Sequence, residues 1–168
     1  LDGLFSLAER LYGIRVKEVP ARQSLSGIPA GESAGTVEVW HPDVRFFTID
    51  DGNGNQLGSF YLDLFSRSNK RAGAWMNTLD TGSPSTPETP GKPRLGMVCL
   101  NIHPPAAGDT VTLSHREVRT LFHEFGHLLH LMFTRVSIPS LAGTSVPRDF
   151  VEVPSQFMEN WCWRPDVL

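Results

Sequence analysis

Apolar residues recur along this chain with two periods, and the changes from one to the other mark out its elements. Residues 1–12 place Leu4, Leu7, Ala8 and Leu11 at helical spacing, and residues 14–19 then alternate as a strand does. Residues 20–35, rich in Ser, Gly and Ala, read as loop. Three β-like runs follow at 36–40, 44–50 and 56–65, the last two joined by a turn at Asp51-Gly52-Asn53-Gly54. Residues 72–77 fit another strand. Residues 80–94 carry four prolines among Gly, Ser and Thr and read as a mobile loop, whereas the almost wholly apolar 95–102 reads as a buried strand.

The longest helical pattern comes after a loop at 104–109. Ser114 with Glu117 has the form of a capping box, so the spacing predicts a helix from about His115 to about Thr134. Val118, Leu121, Phe122, Phe125, Leu128, Leu129 and Met132 make one apolar stripe on it. His123, His127 and His130 fall on the opposite side. Beyond a loop at 135–148, a last helix is expected over 149–163, with Phe150, Val153, Phe157 and Trp161 as its apolar side. Pro154 permits only a first-turn position or a kink there. Together these elements predict an α+β fold, a small, mostly antiparallel sheet packed on the histidine-bearing helix and the helix that follows.

A length of 168 residues suits one domain, 1–168, with a real core. The 15 basic residues are scattered and the net charge is −3, so nothing favours nucleic acid, and no apolar span is long enough to cross a bilayer. Cys99 and Cys162 lie in apolar or aromatic settings and are expected as buried free thiols, which favours a reducing compartment such as the cytoplasm. The chain opens on Leu1 in a helix-like run and stops just after Trp161-Cys162-Trp163, an aromatic cluster that needs cover. An excerpt of a longer protein is therefore expected, with the rest of the parent chain packing on it.

The chemistry lies in the histidine helix. His123-Glu124-Phe125-Gly126-His127 is an H-E-x-x-H motif, and residues i and i+4 of a helix share a face, so His123 and His127 can hold one metal ion together. Glu124 then sits beside the metal, where it can act as general base on a bound water. A catalytic site needs a third protein ligand. A histidine six residues after the motif is excluded, because Phe133 stands there. The remaining scheme takes a glutamate from the following helix, and Glu152 and Glu159 are the only ones. They are seven residues apart, on one side of that helix, so one can bind metal while the other accepts a ring N–H from a ligand histidine. Position slightly favours Glu152 as the ligand. A calcium reading of Asp51, Asn53 and Asn55 fails, since Gln56 and Leu62 replace the glycine and glutamate an EF-hand loop requires.

The motif His123–His130, the pair Gly143-Thr144 and the run Asp149-Phe150-Val151-Glu152-Val153-Pro154-Ser155-Gln156-Phe157-Met158-Glu159-Asn160-Trp161 resemble the thimet oligopeptidase family, which includes oligopeptidase A and peptidyl-dipeptidase. His41-Pro42-Asp43-Val44, Gly58, Phe60-Tyr61-Leu62-Asp63 and Lys70-Arg71-Ala72-Gly73-Ala74-Trp75-Met76 add to the likeness, the last leaning toward the peptidyl-dipeptidase branch. The resemblance implies a zincin-like fold, one Zn2+ per chain on His123, His127 and Glu152, and Glu124 as catalytic base. It also implies that Glu159 supports a ligand histidine, that His130 packs without binding metal, and that residues 72–76 form an edge strand for a peptide. The implied activity is hydrolysis of short peptides, within a mainly helical shell several times this length. That family's tyrosines and histidine, which steady the reacting carbonyl, follow the Glu159-Asn160-Trp161 segment; Tyr12 and Tyr61 do not occupy their positions. The alternative is a zinc-binding fragment with little turnover.

Overall fold

The computed structural model describes residues 1–23, 35–84, 86, 88–106 and 110–167. The expected loop over 24–34 lies outside them. Helix α1, Asp2–Tyr12, buries Leu4, Leu7 and Ala8 and stops at Gly13, whose φ of 65° lets its N–H reach back to the Glu9 carbonyl. Strands β1 (Arg15–Val19), β2 (Ala21–Gln23), β3 (Val37–Val39), β4 (Arg45–Asp50), β5 (Gln56–Phe65), β6 (Trp75–Asp80) and β7 (Arg94–Ile102) follow. Helix α2, His115–Met132, precedes the short helices α3 (Arg148–Val151) and α4 (Val153–Glu159) and a final 3-10 turn, Asn160–Trp163.

Five strands form the main sheet in the order β1-β4-β5-β7-β6. Neighbours are antiparallel except β5 and β7, because β7 enters between β5 and β6 and runs parallel to β5. β2, inside what reads as loop, pairs in parallel with β3 as a separate two-stranded sheet. The turn between β4 and β5 uses Asp51 as its anchor, its carboxylate accepting from the N–H groups of Asn53 and Asn55, so these residues serve the hairpin. The connection from β6 to β7 is also tied down. Ser83 and Lys92 exchange main-chain hydrogen bonds, and Lys92 pairs with Asp80, so the base of this connection is held, with Pro84 and Pro93 beside it.

One face of the sheet packs against α1 and α2. Phe5, Phe47, Phe60 and Phe125 meet ring to ring, with Ile49, Leu62, Val98, Leu100, Leu128 and Met132 filling the space around them. Gly96 of β7 lets α2 lie close, since a Cβ there would be 2.6 Å from Leu128 Cδ1. The opposite face carries Asp63, which is buried with Trp40, Arg67 and Lys70 around its carboxylate. Among the described residues no helix is long and apolar enough to cross a membrane.

The last helix departs from expectation. It is broken at Glu152, because Pro154 has no N–H for a continuing ladder and instead takes a first-turn position of α4. Most of its expected apolar side also faces outward. Ser155, Met158 and Cys162 are buried against α2, while Phe150, Val153 and Phe157 are about half exposed and only Trp161 of that side packs, partly buried, against the core. Both stripes are apolar enough to pack, and the small Ser155 is what permits the closer approach.

Candidate metal centre

Helix α2 starts where its capping box predicts. Ser114 Oγ accepts from the Glu117 N–H, and the Glu117 carboxylate accepts from the Ser114 N–H, satisfying two otherwise orphaned donors. The apolar stripe buries Leu121, Phe122, Phe125, Leu128, Leu129 and Met132 and so fixes the helix's rotation. That rotation turns His123 and His127 toward α3 and α4. Gly126 lies between them and sets the distance: a Cβ on it would be 2.6 Å from Ser155 Cα and 2.7 Å from the Pro154 carbonyl oxygen. Any other residue there would push α4 away.

At that spacing Glu152, at the junction of α3 and α4, reaches both histidines. Its Oε2 lies 3.3 Å from His123 Nε2 and 3.2 Å from His127 Nε2. One ligand atom from each of the three residues can be chosen so that all lie within 4.8 Å of one another, the arrangement of a metal-binding group. Glu159, two turns on despite the break, places Oε1 2.6 Å from His123 Nδ1. A carboxylate only accepts, so Nδ1 of His123 carries a proton, and in the neutral ring Nε2 presents its lone pair toward Glu152. Two imidazole nitrogens and a carboxylate oxygen facing one another are a donor set that fits a metal ion. Arg119 Nε, 3.3 Å from the other oxygen of Glu159, steadies the carboxylate from the solvent side.

Glu124 is buried, 8 % exposed, on the flank of α2 next to the sheet. Burial raises its pKa; neighbouring Glu152 pushes the same way, while His123 and a hydrogen bond from the Met76 N–H oppose the shift. The contact with Met76 brings the sheet into the site, because β6 is its outermost strand and among the described residues has no strand partner on the side away from β7. Burial also lowers the pKa of His127, keeping the imidazole neutral as a ligand must be. His130, one turn beyond, packs edge-on against Phe150 and is likewise lowered by burial.

The structure thus brings His123, His127, Glu152, Glu159 and Glu124 together as the sequence predicts, and leaves His130 outside the group. Both cysteines are free and buried, with burial pushing each thiol up to about 11. The sequence reading gives no site role to Gly126, Ser155 or Arg119, and gives Met76 only a place in an edge strand. Ser155 alone left a local signal, standing three residues after Glu152 where a hydroxyl can turn back toward the preceding turn.

Comparison with known proteins follows the same lines. The family model described as peptidase family M3 matches residues 1–168. Oligopeptidase A of Escherichia coli (strain K12) is 46 % identical over 169 residues, covering 100 % of this chain and 22 % of the relative. The probable cytosolic oligopeptidase A of Arabidopsis thaliana is 41 % identical over 173 residues, with the same coverages of 100 % and 22 %. A dipeptidyl carboxypeptidase of Escherichia coli (strain K12) is 40 % identical over 167 residues, covering 99 % of this chain and 22 % of the relative. The chain thus spans about a fifth of the length of the relatives it matches. Identity is higher to the bacterial oligopeptidase A than to the dipeptidyl carboxypeptidase, so the lean of residues 70–76 toward the second branch does not extend over the chain.

Proposed function

The chain belongs to peptidase family M3, and on that premise we propose that it is the zincin-like catalytic core of a peptidase acting on short peptides. The observation that carries this reading is the convergence of two imidazole Nε2 atoms on one oxygen of Glu152. His123, His127 and Glu152 would hold one zinc ion, the two-histidine, one-glutamate set that leaves a fourth position free in catalytic sites. When bound, zinc would supply Lewis-acid chemistry, making water a nucleophile near neutral pH and polarising the scissile carbonyl.

Glu124 is the proposed general base. A carboxylate raised by burial holds a proton more readily than a solvated one, which suits a group that must take a proton and return it. It accepts the proton of the attacking water while the oxygen adds to the carbonyl carbon, then gives that proton to the amine nitrogen as the C–N bond breaks. Glu159, by accepting the Nδ1 proton of His123, keeps that ring's Nε2 directed at the ligand site. The free edge of β6 suits a peptide laid main chain to main chain beside Glu124.

A quenched-peptide assay with metal analysis tests the reading. Glu124→Gln is expected to lower cleavage by ~100-fold or more while one zinc per chain remains. Cleavage close to wild type would refute the assignment of the base. A second reading, zinc binding with little turnover, is favoured by the placement of both tyrosines. Tyr12 packs on Phe133 and Met158, and Tyr61 lies among Trp40 and Phe46, so neither is available to steady a developing oxyanion. Stoichiometric zinc without peptide cleavage in the wild type would select it. A cytoplasmic setting accords with two free thiols and the cytosolic relative. Further chain would cover the exposed Phe150, Val153, Phe157 and Trp163.

A further inference from the structure

Glu152 is the weakest-held member of the proposed ligand set. Its side chain is 47 % exposed, and it stands at the junction of two short helices. A free glutamate in that place would sample several rotamers, most of them in solvent. Apart from the two imidazoles, one side-chain donor among the described residues touches its carboxylate, the hydroxyl of Ser155.

Ser155 Oγ lies 2.9 Å from Glu152 Oε2 and 2.9 Å from the Glu152 carbonyl oxygen. The oxygen it touches is the one that faces both histidines. Ser155 itself is wholly buried, so its hydroxyl has no water to turn to, and its main chain is pressed against Gly126 of α2. The hydroxyl has one proton, and both oxygens within its reach belong to Glu152; given to Oε2, that proton ties the Glu152 side chain to the first turn of α4.

Resting on the zinc reading above, we propose that Ser155 is a positioning residue for the metal site. Its hydroxyl selects the Glu152 rotamer that presents Oε2 to His123 and His127, so the three-ligand set is assembled before the ion arrives. The close contact of α4 with Gly126 supplies the rigid base from which it acts. Outer partners of this kind typically change metal affinity 10- to 100-fold.

The test is a zinc titration against a competing chelator on the full protein, with Ser155→Ala, Glu152→Ala and the double variant. Ser155→Ala is expected to weaken zinc binding about tenfold or more, and to have no further effect once Glu152 is alanine. Zinc affinity within twofold of wild type would overturn the proposal. So would an equal loss in both backgrounds, which is what a merely structural role predicts. Failure of the wild type to bind zinc at all would remove the reading of the site itself, an outcome distinct from both.

Discussion

Asp63 carries a charge inside the protein, 2 % exposed, and the contacts that hold it reach the edge of the sheet beside Glu124. Burial alone would raise its pKa. Hydrogen bonds from Arg67, Lys70 and Trp40 outweigh that and hold the carboxyl at about 2. Because the folded value lies below the ordinary 3.8, the stabilisation is present above pH ~4 and is lost as pH falls through ~2; it amounts to roughly 2 kcal/mol. The denaturation midpoint should therefore drop between pH 4 and pH 2, and Asp63→Asn should flatten that step. The same variant would strand the ammonium of Lys70, whose side chain is 4 % exposed, and cost ~3 kcal/mol or more at neutral pH. Urea unfolding at the two pH values checks both; an unchanged acid step in Asp63→Asn would show that the charge matters little. Lys70 also takes the carbonyls of Asp63 and Phe65, and Asn101 takes those of Arg71 and Gly73. The loop entering β6 is thus held at both ends, which places the Met76 N–H against Glu124.

At the scale of elements, the approach of α4 to α2 decides whether the ligand set exists. Gly126→Ala is the direct probe. Helix propensity alone would favour alanine by about 1 kcal/mol, but its Cβ would sit 2.6 Å from Ser155 Cα, too near for any adjustment of side chains alone. Zinc affinity should fall at least tenfold, with thermal stability reduced rather than raised; retention of full affinity would show that α4 can shift without cost. Much of this pair was legible beforehand. A capping box and a seven-residue stripe are local signals, and α2 begins at His115 and buries all of that stripe but Val118, which is partly buried against the core. The rotation of α4 was not, because Phe150, Val153 and Phe157 make the more apolar stripe while Ser155, Met158 and Cys162 make the better-fitting one. Which stripe turns inward is decided by the neighbour's shape, here a glycine on α2, and a helix's own periodicity holds no record of that.

Over the whole molecule, the same division recurs. Individual strands follow from alternation, and β5 spans the 56–65 that its pattern marks out, but strand order is a tertiary property. That β7 enters between β5 and β6, leaving β6 at the edge beside Glu124, could not be read from any one segment. The proposed ligand residues could be picked out because H-E-x-x-H is a helical spacing and two glutamates follow it; the contacts from Gly126 and Ser155 belong to the packing. In the proposed site one ion is gripped by two imidazoles and a carboxylate drawn from successive helices. X-ray absorption at the zinc edge, on protein loaded with one equivalent of zinc, would read those neighbours. Two nitrogen ligands are expected at about 2.0–2.1 Å with the remaining neighbours oxygen at about 2.0–2.2 Å, and loss of one oxygen neighbour in Glu152→Ala. Sulfur scattering near ~2.3 Å, or a spectrum that Glu152→Ala leaves unchanged, would contradict it.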